Sequence, residues 1–144
     1  MEVYYFTYTG TCKELARELG ERLAVPVKPV ETLRLPYFLW LAMSFFPNLP
    51  FPARFSPPDS NELIFCFPKW TVNCPPATYF LKKLKDFKIK KLTLIILYKG
   101  WGEKPFVSVY SKLIKEVAET GKVYILKKQN WQSELKELLG LIKL

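Results

Sequence analysis

The chain of 144 residues contains no histidine. That absence removes His-based triads, imidazole metal ligands and histidine general bases together. Cysteine is scarce as well: Cys12, Cys66 and Cys74 make neither a disulfide framework nor a paired zinc motif, which predicts a reducing, cytoplasmic setting. Acidic side chains are the minority, 13 against 22 lysines and arginines, for a net charge of +9. A basic surface brings anionic partners into view: nucleic acid, acidic proteins, phosphate ligands or a membrane face. The N-terminal residues lack the basic-then-apolar pattern of a signal peptide, so none is expected. Few glutamines beside abundant lysine predict a thermophilic source.

What is present is the composition of a folded domain, 49% hydrophobic and 24% charged. Apolar runs at residues 3–6, 27–30, 63–67, 92–98 and 123–126 read as strands. Between them Leu15, Leu19 and Leu23, then Phe80, Leu81 and Leu84, then Phe106, Tyr110, Leu113 and Val117, and last Trp131, Leu135, Leu138 and Ile142 recur at helical spacing. Gly121 stands where a helix C-cap is expected. Strand and helix alternate, which predicts one α/β domain over 1–144: a doubly wound open sheet of five parallel strands with helices on both faces.

Residues 32–58 break the rhythm, being apolar, aromatic and proline-rich with only Arg34 and Arg54 charged. Residues 37–46 supply the expected second crossover helix, apolar all round and hence expected to be buried against the sheet. The segment is too short and too proline-broken to cross a membrane. A second reading makes residues 37–55 an exposed patch that docks a partner, a second subunit or a membrane surface.

Ligands in such sheets bind beyond the carboxyl ends of strands. Three loops lie there: residues 7–12, 68–76 and 99–105. The first holds Thr7, Tyr8, Thr9, Gly10, Thr11 and Cys12 at a strand-to-helix junction. A helix N-terminus offers unpaired N–H groups and a positive dipole end, Gly10 allows close approach, and three hydroxyls can donate. Alone, these residues fit either an N-capped helix or an anion cradle.

The stretch "TYTGTC" resembles the phosphate-binding loop of the flavodoxins, which runs Ser/Thr-x-Thr-Gly-x-Thr after the first strand, with Cys12 in place of the last hydroxyl. "FPKWTVNCPP" resembles the loop after their third strand, and "LIILYKGWGEKP" their glycine-bearing loop after the fourth. The resemblance covers the chain except residues 32–58. It implies a flavodoxin-like fold with strand order 2-1-3-4-5, FMN as cofactor, and electron transfer as a carrier or a small FMN-dependent oxidoreductase. It places the phosphate on residues 7–12 and the flavin ring between Pro68, Lys69, Trp70, Thr71 and Asn73 on one side and Lys99, Gly100, Trp101 and Gly102 on the other. Trp70 and Trp101 are the aromatic plates this implies.

The chain departs from that family in being basic where flavodoxins are usually acidic, in lacking a glycine at residues 68–76, and in Cys12, expected to be a neutral packed thiol. An acidic redox partner such as a ferredoxin would suit the charge. Lysines crowd "LKKLKDFKIKKL" at residues 81–92, but a solvated face explains such a run and no nucleic acid is expected. The small tyrosine phosphatases need Cys-x5-Arg, and Glu18 stands where that arginine would. A flavodoxin-like binding or assembly module without flavin is the alternative to the redox reading.

Overall fold

The computed structural model describes residues 1–33, 35–46, 49–70, 73–100 and 102–142. Strands β1 (Glu2–Tyr5), β2 (Val27–Pro29), β3 (Glu62–Pro68), β4 (Ile89–Tyr98) and β5 (Ala118–Lys127) alternate with helices α1 (Thr11–Leu23), α2 (Tyr37–Ser44), α3 (Pro75–Leu84), α4 (Glu103–Val117) and α5 (Trp131–Ile142). The strands form one sheet in the order β2-β1-β3-β4-β5, all neighbours parallel. The predicted doubly wound topology is therefore present, with β1 at the point where strand order reverses.

Successive side chains on a strand point to opposite faces, and here both faces are buried. Val3, Ile64, Cys66, Ile95 and Leu97 enter one core with Leu15 and Leu19 of α1 and Leu135 and Leu138 of α5. Tyr4, Phe65, Phe67, Leu94 and Ile96 enter the other with Phe80 of α3 and Phe106 and Tyr110 of α4. That is why the strands read as unbroken apolar runs.

Gly121 corrects one expectation. It is a residue of β5, opposite Leu92, and α4 ends at Val117 with Ala118 already extended. The glycine is there for packing: a Cβ would stand 2.6 Å from Ile114 Cγ1 of α4. Reading it as a cap also shortened β5, which pairs with β4 from Ala118 onward.

A second correction concerns α2. Only Trp40 and Ser44 are buried, while Tyr37, Phe38, Leu39 and Leu41 are exposed. Burial of one tryptophan anchors it. The excursion closes at its base, where Glu31 and Arg54 exchange backbone hydrogen bonds of 2.8 and 2.6 Å.

At the amino end of the sheet, opposite residues 7–12, the buried Glu2 carboxylate accepts from Lys28 Nζ at 2.7 Å and from the Asp59 N–H. Next to it the buried Tyr4 hydroxyl donates to the Ser56 carbonyl at 2.6 Å, and burial pushes its pKa from 10.0 up to about 12, against the pull of Lys28. A raised folded pKa means stability that is complete below the unfolded value and lost as pH climbs through the folded one. Tyr4 thus contributes an alkaline loss of stability between about pH 10 and about 12. Urea denaturation of Tyr4→Phe across that window should show a flatter decline than wild type. Parallel curves would remove Tyr4 from the account.

Candidate functional site: the cleft at the carboxyl end of the sheet

The chain leaves β1 into residues 7–10 and enters α1 without a side-chain cap. Gly10 occupies the N-cap with φ 100°, a backbone geometry that disfavours any side chain. Its N–H donates to Thr7 Oγ1 at 2.8 Å, so Thr7 braces the turn and keeps its own proton to donate. A Cβ on Gly10 would meet nothing within 4 Å. Thr11 and Cys12 of the first turn line an open cavity, at the helix end whose dipole favours an anion. Lys128, just after β5, brings its ammonium to Thr9 Oγ1 at 3.3 Å.

This loop is one end of a cavity of about 220 Å³, or about 1040 Å³ with its open mouth included. Lys69, Lys99 and Lys128 line it, and among the described residues no carboxylate does. Burial draws the Lys69 ammonium pKa down, with Glu103 opposing. The cleft wall is aromatic. Trp70 meets Tyr8 edge-on at 6.1 Å, Phe6 at 5.8 Å and Trp40 at 5.6 Å, and Tyr8 contacts Tyr37 at 6.0 Å. Thus α2 closes the cleft from the side, held by Trp40 between Trp70 and Phe51. Hydroxyls, uncapped amides and Lys128 at one end suit a phosphate monoester; flat side chains beyond them suit a planar ring system.

No protein-family model matches the chain. An uncharacterized protein of Archaeoglobus fulgidus is 38% identical over 137 residues, which span 95% of this chain and 89% of that protein. The chain belongs to that protein's family. Its fold is flavodoxin-like. A flavoprotein of Lactobacillus acidophilus, crystallised in complex with FMN, superposes with a TM-score of 0.70 at 14% identity, covering 92% of this chain and 95% of that one. A candidate flavoprotein of Bacteroides eggerthii gives 0.67 at 17%, covering 94% of each chain. One of Bacteroides uniformis gives 0.70 at 14%, covering 93% and 96%.

Within this flavodoxin-like frame, Thr7, Tyr8, Thr9, Thr11, Cys12, Pro68, Lys69, Trp70 and Lys99 all line the cleft. Gly10 shapes the loop between them. Asn73 does not reach the cleft. It is fully buried, donating to the Leu49 carbonyl at 2.7 Å and accepting from Tyr110 and Thr78. It braces the second loop against the excursion, because a buried amide takes the partners nearest to it. Gly100 and Gly102 take left-handed conformations around the third loop without lining the cleft. Thr71 and Trp101 lie outside the described residues. Cys12 is buried at the start of α1, and burial raises its thiol pKa against the pull of Lys128, so it is a neutral packing group, not a thiolate.

The sequence reading missed Tyr37, Trp40, Leu41, Ser44, Leu97, Tyr98 and Lys128 as individual residues. Lys128 had a usable signal, since it directly follows a strand, yet the loop after the fifth strand was not weighed. Tyr98 had one too, as the last residue of the fourth strand. Those of α2 had none that periodicity could supply, because an all-apolar helix does not announce which side it turns inward.

Proposed function

We propose that the chain binds FMN in this cleft and acts in electron transfer, as a carrier or a small FMN-dependent reductase. The observation that carries the reading is the uncapped start of α1 at Gly10, opening into an aromatic, lysine-lined cleft. The Thr7, Thr9 and Thr11 hydroxyls and the first-turn amides of α1 would hold the phosphate, with Lys128 neutralising its charge. Trp70, backed by Trp40, would bury one side of the ring. The FMN complex of the Lactobacillus acidophilus flavoprotein, a distant relative in fold, supports the choice of ligand. Bound FMN supplies the redox chemistry; the chain's part is to bind it, exclude water and set the field around it.

Titrating the purified protein with FMN should quench flavin fluorescence to a 1:1 endpoint. Protein that leaves the fluorescence unchanged would favour a binding module of the same fold. Lysines around the cleft favour whichever redox form carries more negative charge. The loaded protein should accordingly show a less negative potential for full reduction than acidic flavodoxins do, and an equal or lower value in a redox titration would refute that.

A further inference from the structure

The sequence from Thr32 to Pro58 has no acidic residue, and α2 within it is exposed over most of its surface. Phe38, Phe45 and Phe46 are 67%, 58% and 61% exposed, beside exposed Tyr37, Leu39 and Leu41. Large side chains of this kind exposed together on one short stretch mark a surface made to be covered. The charges around it have one dominant sign. Lys69, Lys99 and Lys128 line the cleft that α2 walls, and Lys104 in the first turn of α4 and Lys127 at the end of β5 are exposed. Of the carboxylates at this end, Glu103 pulls on Lys69 and Glu134 is taken up by the Lys127 N–H at 2.6 Å, while Glu14 in the first turn of α1 and Glu31 after β2 are exposed and outnumbered by the lysines.

We propose that α2 and its flanks seat the protein on an anionic lipid bilayer, with the phenylalanines at the depth of the headgroups and the mouth of the cleft toward the membrane. Aromatic side chains favour the membrane–water boundary, and neighbouring lysines add attraction to anionic headgroups within a Debye length. None of the described helices is long and apolar enough to cross a membrane, so α2 would lie on the surface. A second copy fits less well. An isologous contact through α2 would set two lysine-lined clefts side by side, on chains of +9 each. A lipid surface meets both the apolar patch and its positive surround.

Cosedimentation of the full chain with vesicles tests this without reference to flavin. Binding to mixed phosphatidylglycerol–phosphatidylcholine vesicles is expected, falling at least tenfold on pure phosphatidylcholine and weakening with added salt. A variant carrying F38S, F45S and F46S should lose at least tenfold on the mixed vesicles while keeping its circular dichroism. Phe46→Ser alone, at an exposed position, repeats the test should the triple variant fold poorly. Wild-type protein that stays in the supernatant overturns the proposal, as does a folded variant that binds undiminished. Sedimentation equilibrium showing a dimer that the variants dissociate would overturn it too, assigning the face to a second copy.

Discussion

Replacing Trp40 with alanine is expected to destabilise the protein by about 3–5 kcal/mol, the range for removing a buried large aromatic side chain. Trp40 is 1% exposed and is the largest fully buried side chain among the described residues. It packs edge-on against Phe51 at 5.0 Å and against Trp70 at 5.6 Å, and no other large side chain of α2 is buried. Alanine would leave a cavity with little beside it to collapse inward. Urea unfolding followed by circular dichroism measures the loss, and Phe38→Ser is the control, expected within about 0.5 kcal/mol of wild type as an exposed substitution. FMN affinity should fall in the Trp40 variant as well, since Trp70 loses the ring behind it. If unfolding of Trp40→Ala matched wild type, α2 would have to be held by something other than this tryptophan.

Gly10→Ala should cost the cleft most of its preference for a phosphorylated flavin. At φ 100° an alanine is strained by about 1–3 kcal/mol, and relaxing it turns the amides of the first turn away from the cleft. Any Cβ that did remain would occupy the open space in front of α1. The expected result is at least a tenfold rise in the FMN dissociation constant with a much smaller change for riboflavin, which lacks the phosphate. Equal losses for both ligands would place the phosphate elsewhere; no loss for either would refute the cradle.

The fold was legible because the central strands alternate between two apolar cores: "LIFCF" sends Leu63, Phe65 and Phe67 to one side and Ile64 and Cys66 to the other. The first loop was legible as well, since threonines and a glycine at a strand-to-helix junction have a local reason to be there. Asn73 was not, because its loop position says nothing of Leu49, Thr78 and Tyr110, which only tertiary packing brings to it. Gly121 misled for a related reason. Its local cue was a helix end, whereas its cause is Ile114 pressing on β5 from the helix above. The wall formed by α2 was illegible in detail, since one buried tryptophan among exposed aromatics leaves no periodic trace.

That wall has two sides. Tyr37 and Leu41 line the cleft and are also part of the exposed face, and Trp40 of the same helix packs on Trp70. Whatever presses α2 inward therefore works on the same helix as whatever fills the cleft. Two ligands that share a wall cannot be thermodynamically independent if either one shifts it, and the coupling is reciprocal: the factor by which occupancy of one side alters affinity on the other is the same in both directions. On the proposed reading, one helix of eight residues would let whatever covers α2 set how tightly the cleft holds its ligand.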